Sequence, residues 1–225
     1  WQGLFYPKDF SKDKMLDFYK DYFKTVEINN TFYGSPGSDT FKQWYGIVPK
    51  EFLFSVKANR YITHMKKLKD ADKTVPRFID NVKDLKEKLG PLLFQLPGHW
   101  KCNLDRLKEF VEILPEGYLY TIEFRDPDWF NEKVYSLLAN SNIAFCMYDF
   151  DTRLSPKKVT ADFIYIRLHG PGKPYQDPYS KKTLQGWAGA INSWSITGKD
   201  VYCYFDNDNQ GYAVKNAQEL FEMLT

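Results

Sequence analysis

Seven apolar stretches, each ending in polar or charged residues, indicate the β-strands of this chain. They span residues 25–33, 52–60, 91–97, 119–126, 143–150, 163–170 and 200–208. Six of the seven run directly into a charged residue. Because sites in parallel α/β barrels are built at the carboxyl ends of the strands, this recurring junction predicts a scaffold with a polar mouth.

Segments with helical periodicity and capping signals lie between the strands. They cover residues 11–24, 74–89, 103–114, 128–140, 181–196 and 211–224. Pro76 fits the first turn of the second segment, and Gly90 fits its end. The alternation of strand and helix requires βαβ units in a parallel sheet. We therefore predict a single α/β domain over residues 1–225, a TIM (β/α)8-type barrel. Seven strands are one short of eight, so we expect the first strand to lie upstream of Trp1.

Alternating positions along a strand face opposite sides of the sheet. The apolar set of each stretch must contact the outer helices, so the polar set points towards the barrel axis. The expected residues of the mouth, at inward positions or at strand ends, are Glu27, Asn29, Lys57, Arg60, Gln95, Glu123, Arg125, Asp149, Tyr165, Arg167, His169 and Asp206. Isolated buried charges cost several kcal/mol each as a rough estimate, so these charges must compensate one another, hold a ligand, or both. The structural alternative is a lattice in which Glu27, Glu123 and Asp149 pair with Lys57, Arg125 and Arg167.

Composition and charge narrow the function classes. The net charge of +2 is too small for a general nucleic-acid footprint, so any anion preference must be local. Arg60, Arg125 and Arg167 nevertheless fall at strand ends, where a guanidinium suits carboxylate or phosphate. No apolar run approaches the length needed to span a bilayer, and no signal peptide opens the chain. These features predict a cytoplasmic protein with no membrane partner.

Seven motifs in order resemble the YecE-like family, a group named domain of unknown function seventy-two. They are residues 1–7 (WQGLFYP), 26–33 (VEINNTFY), 56–60 (VKANR) with Thr63 and His64, 93–97 (LFQLP), 123–125 (EFR), 165–170 (YIRLHG) and 204–208 (YFDND). The resemblance covers essentially the whole chain. It implies a TIM-barrel fold and the location of the pocket, but no particular reaction. The family pattern has a Gly-rich first strand before Trp1, a His where this chain has Asp126, and an Asn where it has Asp206.

The inward residues favour an anion site. Lys57, Arg125 and Arg167 would bind a phosphate or carboxylate, while Glu123 or His169 transfers a proton. We expect Glu123, His169 and Glu27 to be catalytic and the other inward residues to bind ligand. The predicted activity is that of a hydrolase acting on a phosphorylated or nucleic-acid-like substrate.

Two alternatives stay open at this point. One is a metal-dependent, endonuclease-like phosphodiesterase with Glu27, Glu123, Asp149, His169 and Asp206 as ligands. The interleaved Arg and Lys oppose a cation and no metal-binding spacing is found, so we predict no metal and no cofactor. The other alternative is a non-enzymatic module that binds a phosphorylated metabolite or nucleic acid. In either case the expected partner is a small anionic ligand or nucleic acid, and the sequence does not define an oligomeric state.

Overall fold

The computed structural model describes residues 1–34 and 36–224. The chain forms two compact units, which we call the first unit (Asp13–Ile143) and the second unit (Trp1–Lys12 with Ala144–Thr225). The expectation of a single domain stays a prediction. Across the described residues, no helix combines the length and apolarity that crossing a membrane requires.

The first unit contains four parallel strands. They are β1 (Thr25–Ile28), β2 (Leu53–Lys57), β3 (Leu89–Gln95) and β4 (Tyr120–Glu123). Each strand pairs with the next one along the chain. The last residues of β2, β3 and β4 are therefore Lys57, Gln95 and Glu123, at the carboxyl end of the sheet. The register places Gln95 beside Glu123.

Helices connect these strands. They are α1 (Met15–Tyr19), α2 (Ser38–Ile47), α3 (Ala71–Val82), α4 (Leu104–Glu112) and α5 (Glu132–Asn140), with 3-10 turns at Lys12–Lys14, Asn30–Phe32, Lys83–Lys88 and Pro127–Trp129 and a π-helical turn at Tyr61–Met65. The buried stripe of α3 includes Val75, Phe78, Ile79 and Val82, as the helical period predicts. Asn103 caps α4 by accepting a hydrogen bond from the Arg106 amide at 2.9 Å.

Four helical details differ from the sequence-based prediction. The segment 11–24 holds only a 3-10 turn and the short α1. The helix α3 begins at Ala71, so Pro76 lies in its second turn rather than its first. It also ends at Val82, because Lys86 adopts a positive φ of 48° and the chain continues as 3-10 turns. The unpredicted α2 buries only Phe41 fully, which explains its weak apolar pattern.

The second unit contains the remaining strands. They are β5 (Ala144–Phe150), β6 (Arg153–Leu154), β7 (Phe163–Leu168) and β8 (Asp200–Phe205), with helices α6 (Lys181–Ile196) and α7 (Tyr212–Glu222) and a 3-10 turn at Asn209–Gly211. β7 pairs in parallel with β5 and β8, while β6 folds back antiparallel on β5. The two-residue β6 was not predicted, because it is exposed and too short to show a period.

Candidate functional site

A buried ion pair occupies the carboxyl end of β4. Arg125 follows Glu123 by two residues, and its Nε contacts Glu123 Oε1. Gln95, at the end of β3, donates from Nε2 to the same carboxylate oxygen at 2.8 Å. Glu123 is fully buried and Arg125 nearly so. The guanidinium therefore stabilises the ionised carboxylate in a site shielded from water.

The side chain of Lys57 lies at the carboxyl end of β2 and is only 9% exposed. Its Nζ is 4.4 Å from the ring centroid of Phe32, which follows β1. The same ring meets the imidazole of His64 edge-on, with centroids 5.0 Å apart. The ends of β1 and β2 are thus joined around one aromatic ring, and a cation over such a ring is attracted by its quadrupole.

The surroundings of His64 disfavour its charged form. Burial lowers the pKa of His64, and the charges of Lys57 and Arg60 lower it further, against an opposing contribution from Glu123. His64 Nδ1 lies 2.8 Å from the Thr63 hydroxyl. The imidazole is therefore held neutral at neutral pH by its surroundings.

Asn29 presents an acceptor at the end of β1. Its Oδ1 is buried, and the described part of the chain provides no hydrogen-bond partner for that atom. Leaving a buried carbonyl oxygen unsatisfied costs about 1–3 kcal/mol, which a donor on a ligand or water would recover. Glu27, half-buried in β1, precedes Asn29 by two residues.

Another charged group lies in the second unit, where Asp206 joins Arg167 and His169. Arg167 Nη2 donates to Asp206 Oδ2 at 2.7 Å, and His169 Nδ1 lies 3.0 Å from the same oxygen. Arg167 and His169 are buried, and Asp206 is largely so. The carboxylate beside Arg167 is therefore Asp206, which the lattice predicted from sequence did not include.

Asp149 and Tyr179 form a further polar contact in the second unit. Burial raises the pKa of Asp149, and a hydrogen bond with Tyr179 lowers it in part. Burial and the Asp149 charge raise the pKa of Tyr179, so its hydroxyl stays protonated and donates to Asp149. Tyr179 Oη also accepts from the Gly170 amide at 2.9 Å. Sequence reasoning missed Tyr179, because it stands in a Gly- and Pro-rich loop without any period.

Three or more His, Cys, Asp or Glu side chains do not come together as a metal-ligand group anywhere in residues 1–34 and 36–224.

Comparison with known proteins decides the family. The family model "Protein of unknown function DUF72" matches residues 1–225. The chain belongs to the DUF72 family. This DUF72 protein is 22% identical to the UPF0759 protein YunF of Bacillus subtilis, over 97% of the chain and 89% of the relative.

Solved structures agree with this assignment. A DUF72 family protein from Thermotoga maritima is 29% identical, with a TM-score of 0.89 and coverage of 100% of this chain and 94% of that one. A DUF72 family protein from Enterococcus faecalis is 20% identical, with a TM-score of 0.85 and coverage of 99% and 90%. The predicted family and the predicted fold class, α/β of the TIM-barrel type with seven main parallel strands, are both confirmed. The expected strand upstream of Trp1 stays a prediction.

The aromatic residues of this DUF72 protein fall into two classes. Tyr165 is fully buried in β7 and packs against Tyr202 and Tyr204, with centroids 6.5 and 5.3 Å away. This placement favours packing over ligand recognition. Tyr33 and Tyr175, in contrast, are exposed after β1 and β7.

Proposed function

We propose that this DUF72 protein binds a phosphate-bearing anion at the carboxyl ends of β2, β3 and β4, and hydrolyses a phosphate ester there. The observation that carries the proposal is the largely buried side chain of Lys57, whose charge acts on His64 together with that of Arg60. Cations in a low-dielectric setting attract an anion more strongly than the same cations do in water.

The charge balance of the first unit supports an anion. Its strand ends carry the cations Lys57, Arg60 and Arg125 and the carboxylates Glu27, Glu123 and Asp126, and Lys101 donates to Asp126 at 3.1 Å. One carboxylate, Glu123, is already engaged by Arg125. Near His64, the charges of Lys57 and Arg60 both lower the pKa of the imidazole, in addition to its burial.

Each group then has a chemical role. Lys57 and Arg125 would hold phosphate oxygens and stabilise the charge of the transition state. Asn29 Oδ1 would accept a hydrogen bond from a hydroxyl group of the substrate. Glu123 would take a proton from a water molecule whose oxygen adds to phosphorus, while the ester oxygen leaves with the bonding electrons. Gln95 fixes the orientation of this carboxylate.

The charged group of the second unit receives a supporting role in this proposal. Arg167 Nη2 donates to Asp206 Oδ2 at 2.7 Å, and we place the anion in the first unit, beside Lys57. His169 Nδ1 lies 3.0 Å from the same carboxylate oxygen, so Asp206 would help to position this imidazole. Asp149 completes the set of polar strand ends.

Calorimetric titration with inorganic phosphate tests the binding step. We expect Lys57→Met to weaken phosphate binding at least tenfold, a loss of about 1.4 kcal/mol. Lys88→Met is the matched control, because Lys88 is 7% exposed and its Nζ lies 4.2 Å from the Tyr45 ring, in contact with the Tyr45 and Val48 carbonyls. Equal binding by both variants and the wild type would overturn the proposal.

Turnover on phosphate monoesters, diesters and sugar phosphates tests the hydrolytic step. We expect the wild type to hydrolyse at least one of these esters. The Glu123→Gln variant should lose this activity and still bind phosphate. Phosphate binding without turnover of any ester would identify a non-enzymatic binding module instead.

A further inference from the structure

Exposed aromatic and basic side chains surround the proposed anion site. Tyr33 is 81% exposed, Met65 66% and Tyr61 43%, and Arg60 is exposed beside them in sequence. The π-helical turn carries Tyr61 and Met65. It is followed by Lys67 and Lys69, which are also exposed. We call the set of Tyr33, Arg60, Tyr61, Met65, Lys67 and Lys69 the aromatic–basic patch.

Direct contacts make this patch continuous with Lys57. The ring of Phe32 meets Tyr33 edge-on at a centroid distance of 5.1 Å and His64 at 5.0 Å. Lys57 Nζ lies over the same ring at 4.4 Å. Phe32 therefore links an exposed tyrosine after β1 to the cation at the end of β2.

The π-helical turn sets its apolar side chains towards solvent. The Lys66 amide donates to the Tyr61 carbonyl at 2.8 Å, which closes the turn, and Ile62 and Thr63 are buried beneath it. Tyr61 and Met65 stay on the outer side. Such turns recur at functional sites.

The basic charge of the chain is concentrated here. Residues 57–73 contain six Lys or Arg (Lys57, Arg60, Lys66, Lys67, Lys69 and Lys73) and two Asp (Asp70 and Asp72), a balance of +4. The whole chain carries only +2, so the rest of it is net negative. A polyanion is therefore attracted to this segment more than to the remainder, although Lys66 is partly compensated by Asp70 at 2.8 Å.

We propose that the aromatic–basic patch binds single-stranded nucleic acid, which deepens and rests on the proposed function by naming its substrate class. Bases would stack on Tyr33 and Tyr61, while Arg60, Lys67 and Lys69 contact the backbone and one phosphate reaches Lys57. Stacking on exposed tyrosines requires bases that are free of a duplex, and every base offers a face to such a ring. The occupant is therefore a single strand rather than a duplex.

Fluorescence anisotropy with a labelled twelve-nucleotide oligo(dT), and the same length of oligo(U), tests this inference. We expect Tyr33→Ala and Tyr61→Ala each to weaken binding about tenfold, and Tyr→Phe at either position to retain it. Tyr22→Ala is the control, because Tyr22 is 51% exposed in the same unit and contacts Phe18 rather than the patch. The logarithm of affinity should fall with the logarithm of salt concentration with a slope of about −3 for the four phosphate contacts.

The outcomes separate this inference from the proposed function. The inference is overturned if the oligonucleotide does not bind, or if a duplex binds equally strongly. It is also overturned if neither tyrosine substitution weakens binding, or if an acidic peptide displaces the oligonucleotide equally well. If inorganic phosphate still binds in a Lys57-dependent manner in that case, the proposed function stands alone. Loss of both kinds of binding overturns both.

Discussion

Arg125 and Glu123 form an ion pair that is buried at the end of a single strand, two positions apart. The pair explains why both charges are tolerated inside the protein, since each compensates the other. A buried pair is costly to break, although its replacement by neutral side chains can be nearly neutral in free energy.

Removing one partner of this pair should destabilise the fold. We expect Arg125→Ala to lower the free energy of unfolding by about 3–5 kcal/mol, because an uncompensated carboxylate stays buried. The double variant Glu123→Gln with Arg125→Gln should recover most of this loss. Urea unfolding measures both, with Arg153→Ala, an exposed arginine in β6, as the control. A wild-type stability for Arg125→Ala would show that Glu123 does not depend on this partner.

The affinity for sulfate should rise in acid. The pKa of His64 lies below its usual value of 6.5, so the imidazole is neutral at pH 7 and gains its charge only as the pH falls below that value. Sulfate keeps its own charge over this range, unlike phosphate. Calorimetric titrations with sulfate, from pH 7 to below the pKa of His64, should show a rise in affinity for the wild type and no rise for His64→Gln. The same rise in the variant would assign the effect to another group.

Asp149 should make the protein less stable at neutral pH than in moderate acid. The pKa of Asp149 in the folded state is raised above 3.8. Between pH 3.8 and that folded-state pKa, the folded state therefore binds more protons than the unfolded state. Its contribution to stability is therefore lost as the pH rises through the folded-state value. We expect Asp149→Asn to stabilise the protein at pH 7 but not below pH 3.8, in urea unfolding. Asp151→Asn, which removes an exposed carboxylate, should leave the free energy of unfolding unchanged at both pH values.

Gly170 should resist substitution. Its φ is 111°, and a Cβ there would lie 2.2 Å from the Gln176 carbonyl oxygen. We expect Gly170→Ala to destabilise the protein by about 1–3 kcal/mol, measured by thermal or urea unfolding. Gly186→Ala, in α6 with no atom near the added Cβ, should instead stabilise it by about 0.5–1 kcal/mol. Two effects of the same sign would contradict this account.

The strands were the part of the fold that sequence predicted well. Strands β2, β3 and β4 of the first unit combine apolar residues with a polar or charged last residue, so Lys57, Gln95 and Glu123 could be placed at strand ends from the pattern alone. That all the inward residues share one mouth stays a prediction.

Local conformation and the choice of partners were not predictable. The π-helical turn of Tyr61–Met65 is five residues long and follows no hydrophobic period. The selection of Asp206 by Arg167 depends on the register of β7 and β8, which sequence alone does not set. Phe32 showed no signal of its role, because an aromatic residue after a strand is usually core.

The most direct measurement is an NMR titration of isotope-labelled protein with inorganic phosphate, followed through the backbone amide signals. The account predicts saturable shifts concentrated in residues 57–64, 95–98 and 123–126, and their loss in Lys57→Met. Shifts confined to the surface around Lys181, Lys215 and Glu219, or none in the three segments, would contradict it.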